Sequence, residues 1–342
     1  MKARLVLHRD NRGWILEKFA VRLAEHLGAS GVEPDISDAP AASADINHWL
    51  LYLYYDGNRP TPSTALITHI DQFAKLRVLK TALETLDAGI CLSRMAVDTL
   101  ARRGVARDKL CYVTPGHDAV APPRRFVIGI TSRAYGDGRK REGMLTELAR
   151  AMRLDRFHFE IIGEGWEPIV SHLQAAGATV TYSTGTGDYQ RDYAFTLERI
   201  PTFDYYLYPG LDEGSMGFLD ALAAGVPTIV TPQGFHLDVP GGISHPFTEV
   251  DELVGVFRAV AEEADRRTRS VKDLTWGRYA RQHAAIWCAI LEGRPAASAV
   301  DADDVPTSGA RSSSSAWQSI VDDARFYSAP VIGRVKRLLK RE

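Results

Sequence analysis

Two carboxylates, Glu213 and Asp220, bracket a glycine-bearing loop within the stretch from Tyr205 to Val230. The aromatic run Tyr205 to Tyr208 reads as a strand stopped by Pro209 and Gly210, and Phe218 to Ala224 reads as a helix stopped by Gly225 and Pro227. In a parallel sheet, such a loop leaves unpaired backbone N–H groups at a helix start, and these hold phosphate without a cationic side chain. Gly214, Ser215, Met216 and Gly217 are therefore the candidate phosphate site. Carboxylates beside a phosphate site are suited to accept hydrogen bonds from hydroxyls, as on a ribose or a hexose. The combination points to a nucleotide-sugar.

Other groups that could do chemistry lie at the ends of predicted strands. Ala65 to His69 reads as a strand whose last residue reaches the crevice where parallel sheets bind ligands, which singles out His69. Phe126 to Ile130 reads as a strand followed by a loop carrying Arg133, Arg139, Lys140 and Arg141 among three glycines. Fixed cations there would stabilise a departing diphosphate most as its negative charge peaks. Phe157 to Ile162 runs into Gly163-Glu164-Gly165-Trp166, where Gly163 and Gly165 would let the backbone approach a base or ribose.

The remaining elements frame these groups. Arg4 to His8 reads as a strand, Ile15 to Leu27 as an amphipathic helix, Val32 to Ala44 as a loop, and His48 to Tyr55 as a strand. Ser183 to Gln190 reads as a polar loop and His236 as a loop residue. Trp276 to Leu291 carries an apolar stripe at helical spacing. A length of 342 residues suggests two domains, and 45% hydrophobic with 25% charged residues is the composition of a soluble globular protein. A net charge of -2 excludes an overall basic field for nucleic acid. Cys91, Cys111 and Cys288 show no metal-ligand spacing and read as buried thiols in a reducing compartment. No signal peptide or membrane span is evident, so the chain is expected in the cytoplasm.

Glu213-Gly214-Ser215-Met216-Gly217 followed by Asp220-Ala221-Leu222-Ala223-Ala224-Gly225-Val226-Pro227 resembles the signature of retaining GT-B glycosyltransferases of the family 4 type. The second acid is Asp rather than the family's Glu. It lies at the family spacing from Asp212 and one residue short of it from Glu213, so either acid could take the first carboxylate role. The resemblance implies an α/β fold of two Rossmann-like parallel-sheet domains facing a cleft. No cofactor is expected, and no metal either, since the one Asp-x-Asp spacing, Asp301-Ala302-Asp303, falls in a stretch that reads as flexible linker. It implies an acceptor-side domain over 1–122, a nucleotide-sugar-binding domain over 123–275 and a return helix over 276–293 packing on the first domain. It assigns His69 to the transferred sugar, Arg133 and Lys140 to the diphosphate, Glu213 to the sugar and Asp220 to the ribose, with Arg139 and Arg141 as substitutes for Lys140. The expected partners are a nucleoside diphosphate sugar and a glycan or lipid-linked glycan.

Residues 294–315 are rich in Ala, Ser, Asp and Pro and read as a flexible linker, and 316–342 as a helical tail. Its last part, 330–342, is basic and amphipathic, suited to an anionic membrane at the inner face or to a protein partner. Two other functions share these features: a nucleotide-sugar 2-epimerase, and a scaffold that has lost donor binding.

Overall fold

The computed structural model describes residues 1–118 and 123–299. The expected tail over 316–342, residues 300–315 of the expected linker and residues 119–122 at the expected domain boundary lie outside them. In chain order the elements are β1 (Lys2–Val6), α1 (Ile15–Leu27), β2 (Glu33–Ser37), β3 (Ile46–Trp49), β4 (Ser63–Ile67), α2 (Phe73–Thr85), β5 (Ala88–Cys91), α3 (Arg94–Arg102) and β6 (Leu110–Tyr112). There follow β7 (Phe126–Ile130), α4 (Gly143–Ala151), β8 (Phe157–Ile162), α5 (Glu167–Ala175), β9 (Thr179–Ser183), α6 (Tyr189–Arg199) and β10 (Tyr205–Tyr208). Last come α7 (Met216–Ala223), β11 (Thr228–Val230), β12 (His245–Pro246), α8 (Val250–Ser270) and α9 (Trp276–Leu291).

Among the described residues two compact units result, one from 1–118 with 271–299, the other from 123–270. Each contains a six-stranded parallel sheet, ordered β2-β1-β3-β4-β5-β6 and β12-β11-β10-β7-β8-β9. Two such sheets with flanking helices are the composition of a GT-B fold. Each order reverses once, between β1 and β3 in the first unit and between β7 and β10 in the second. At such a reversal adjacent loops diverge to opposite faces and leave a crevice at the carboxyl ends of the strands.

In the first unit every residue of β4 is buried, as a strand covered on both faces must be. One face packs on Leu16, Phe19, Ala20, Leu23 and Leu27 of α1 together with Trp276, Tyr279 and Trp287 of α9. The return to this unit starts at Val271 rather than 276, because the His117 N–H donates to the Leu274 carbonyl at 2.9 Å and His117 Nε2 bonds the Val271 carbonyl at 3.0 Å. The stretch expected as a loop, Val32 to Ala44, contains β2. As an edge strand β2 needs ladder bonds on one side only, which is why it tolerates Pro34. The strand expected over His48 to Tyr55 ends at Trp49 and gives way to a 3-10 turn at Tyr52–Tyr54. Ala296–Ala299 forms a 3-10 turn with Ala296 buried in the core, so the expected linker is ordered at its start. Cys91 and Cys111 are buried as expected, whereas Cys288 is exposed on α9. No helix among the described residues is long and apolar enough to cross a membrane.

Two histidines are enclosed where α9 crosses β3. His48 Nδ1 bonds Thr64 Oγ1 at 2.9 Å, Trp287 Nε1 donates to the same oxygen at 3.2 Å, and the His283 ring centre lies 5.3 Å from that of His48. Burial pulls the His283 pKa from 6.5 to about 4, and burial with the neighbouring ring lowers that of His48. Both are neutral in the fold, while the unfolded chain protonates them below about pH 6.5. Stability contributed here is complete above that pH and falls as the pH drops. His283 alone should remove about 2 kcal/mol between pH 6.5 and 5. Urea unfolding midpoints at pH 7.5 and 5.0 check this, and His283→Phe should flatten the dependence.

Candidate functional site

The reversal in the second unit brings together the loops after β7 and β10, which carry the groups singled out in the sequence. Tyr208, the last residue of β10, is buried, and its hydroxyl donates to Asp212 at 2.7 Å. Lys140 Nζ donates to the Tyr208 hydroxyl at 2.6 Å and to Asp212 Oδ2 at 2.7 Å. The Gly214 N–H completes the Asp212 shell at 3.1 Å. Burial opposes the charged form of Asp212, but the bonds from Lys140, Tyr208 and Gly214 outweigh it and hold the carboxyl below its ordinary range. Burial first, then the bond to Asp212, raises the Tyr208 hydroxyl. An ammonium has three N–H donors, so one of Lys140 remains for a ligand.

Glu213, the next residue, is exposed, and no described residue bonds its carboxylate. Ser215, in contrast, is spent inside the protein. Its N–H donates to His236 Nε2 at 2.9 Å and its hydroxyl bonds that of Tyr206 at 2.7 Å. This bond places the His236 proton on Nδ1, which donates to the Thr231 carbonyl at 3.1 Å. His236, expected to be an ordinary loop residue, is thus a buried post that fixes the start of α7, with burial lowering its pKa. The Phe218 N–H bonds the Ser215 carbonyl at 3.0 Å, and no described residue accepts from the N–H of Met216 or Gly217. These two donors are the ones left at the helix start.

Gly217 is required by packing. A Cβ on it would lie 2.1 Å from Thr131 Oγ1 and 2.6 Å from the Tyr206 hydroxyl. Gly217→Ala should therefore cost about 1–3 kcal/mol through overpacking, read as a lower melting temperature. Gly163, with φ +139, is equally committed, since a Cβ there would meet the Ser132 carbonyl at 2.3 Å. Gly165 abuts the Ala134 carbonyl in the same way, and Trp166 is buried with its Nε1 donating to the Ser132 carbonyl at 2.6 Å. Both glycines thus lie close against the backbone of the loop after β7.

That contact sets the base of Arg133, which is exposed and pairs with Glu164 at 3.6 Å. Arg139 pairs with Asp137 at 3.0 Å, and the Arg141 guanidinium bonds the Thr248 carbonyl. Lys140 is the cation of this loop that points at the β10 exit. Asp220, on the second turn of α7, accepts a bond of 3.4 Å from the Tyr193 hydroxyl. Among the residues the sequence did not single out, Tyr208 and Tyr193 carry no signal beyond an aromatic run and a polar helix.

In the first unit, His69 follows β4 and is exposed beside the Asp71–Lys75 pair. It lies one strand away from the β1/β3 reversal. The residues at that reversal are His8, after β1, and Tyr54, after β3, whose rings stack at 4.1 Å and 12°.

No protein-family model matches the chain. No curated protein matches it either. Solved structures do align with it. Anabaena HepE in complex with UDP and glucose is 12% identical over 87% of this chain and 97% of its own, with a TM-score of 0.31. The apo lipopolysaccharide outer core galactosyltransferase WaaB is 14% identical over 84% and 99%, with a TM-score of 0.34. A putative UDP-N-acetylglucosamine 2-epimerase from Listeria monocytogenes is 11% identical over 86% and 98%, also at 0.34. Likeness this distant bears on neither activity nor substrate.

Proposed function

We propose that the chain is a glycosyltransferase that moves a sugar from a nucleoside diphosphate sugar to a hydroxyl of a glycan or glycolipid. One observation carries the reading. At the strand-order reversal of the second unit, Lys140 keeps one donor free close to a helix start, and that helix leaves the Met216 and Gly217 N–H groups untaken. Together these suit a diphosphate. Arg133 would give up its exposed pairing with Glu164 for a phosphate oxygen. Asp212 is bound to Lys140, so Glu213 is the acid available for sugar hydroxyls, with Asp220 for the ribose. His69 is the candidate in the first unit for the transferred sugar.

In the reaction, the bond from the anomeric carbon to the phosphate oxygen breaks and a bond to the acceptor oxygen forms on the same face, which is retention. The acceptor proton passes to the departing phosphate oxygen, so no protein base and no metal are required. Lys140, Arg133 and the helix N–H groups stabilise the charge gained by the diphosphate.

The test is release of nucleoside diphosphate from UDP-, GDP-, ADP- and dTDP-sugars, with and without glycan acceptors. Release from one nucleotide class, stimulated by acceptor, is the expected result. Conversion of the sugar at C2 in place of transfer would mark an epimerase. Absence of both nucleotide binding and turnover would leave a scaffold.

A further inference from the structure

We propose that Tyr189 and Tyr193 of α6 form a stacking platform for the nucleobase of the nucleotide. The inference rests on the donor-site reading above. The two rings lie one helical turn apart, with centres 5.8 Å apart and planes only 6° from parallel. Tyr189 is 76% exposed, the most of any large aromatic or aliphatic side chain among the described residues, so the outer face of the pair is open. A flat, exposed aromatic face is the shape that another planar ring stacks on.

Position in the fold says what kind of ligand covers it. α6 follows β9 and therefore starts at the carboxyl end of the sheet, as α7 does after β10. Tyr193 lies in the second turn of α6 and donates its hydroxyl to Asp220 in the second turn of α7. The aromatic pair is thereby tied to the carboxylate proposed for the ribose, and Tyr189 stands one turn nearer the ligand end than that bond. A nucleotide whose ribose reaches Asp220 carries its base on the glycosidic carbon of the same ring, within one ring's reach of the tyrosines. Bases stack on aromatic faces whatever their sequence, and each such contact is substantial.

The loop before α6 is built to hold this arrangement. Asp192 accepts from the Thr186 and Gly187 N–H groups at 2.8 and 2.9 Å, and Asp188 caps the helix by accepting from the Arg191 N–H at 3.0 Å. The start of α6 is thus fixed although none of its side chains is buried.

Calorimetric titration of the full chain with UDP, GDP, ADP and dTDP, and separately with pyrophosphate, tests the platform. Tyr189→Ala should weaken the nucleotide that the wild type binds by roughly 5- to 100-fold, and leave pyrophosphate binding unchanged. Tyr189→Phe, which keeps the ring, should bind as the wild type does. If the wild type binds a nucleotide and Tyr189→Ala binds it equally well, the platform is wrong while the donor site stands. Equal weakening of nucleotide and pyrophosphate would also overturn the platform, since the effect would then be a general loss of the site. If the wild type binds no nucleotide, both readings fall.

Discussion

Asp212→Ala should lower the melting temperature by roughly 2–12 °C, the equivalent of about 1–3 kcal/mol for breaking a largely enclosed, hydrogen-bonded ion pair in a unit of this size. The reason is the enclosure of the pair. The Lys140 and Asp212 side chains are only 14% and 10% exposed, so removing the acid leaves a largely enclosed ammonium without its counter-charge. It also takes the acceptor from the Tyr208 hydroxyl. Asp137→Ala, which breaks the exposed pair with Arg139, should change the melting temperature little. Because the Asp212 pKa is lowered in the fold, its contribution is complete above the ordinary value of 3.8 and is lost as the pH falls through the lowered one. The gap between wild type and variant should therefore be constant from pH 5 to 8 and close only in stronger acid.

Glu213→Gln should do the reverse, reducing transfer by roughly 100- to 1,000-fold while leaving the melting temperature unchanged. Glu213 is exposed and unbonded within the described protein, so its substitution disturbs no packing. Its carboxylate is the acceptor proposed for sugar hydroxyls, and an interaction that strengthens as charge develops on the sugar is lost from kcat as well as from kcat/KM. Steady-state kinetics on the best donor separates this from a binding defect. A loss confined to KM would mean that Glu213 binds the ground and transition states equally.

The contrast between these adjacent acids was not legible in the sequence. Spacing alone left Asp212 and Glu213 equivalent, because the partner that distinguishes them, Lys140, lies 72 positions away. The strands around the site were legible, since β8 and β10 are rich in aromatic and aliphatic residues and end at a glycine or proline, and the loop of cations after β7 was visible in its composition. What composition hid was polar secondary structure. The edge strand β2 is spelled Glu-Pro-Asp-Ile-Ser and reads as a loop, because an edge demands little burial. The helix α6 buries no side chain, so its turns show no apolar stripe, and the tyrosines it carries drew no notice. Gly163 and Gly165 were legible as positions of close approach, and the fold sets them against the carbonyls of Ser132 and Ala134. His236 looked idle because its role, accepting the Ser215 N–H, depends on a fold in which residues 21 apart meet.

The central claim is that the second unit binds a nucleoside diphosphate sugar where the β7 and β10 loops meet. Hydrogen exchange of the backbone amides, measured with and without a saturating nucleoside diphosphate, tests it most directly. Slower exchange at Met216 and Gly217 and in the loop from Ser132 to Arg141, lost in Lys140→Ala, is the predicted result. Bound nucleotide with no protection at those amides, or with protection elsewhere only, would contradict it.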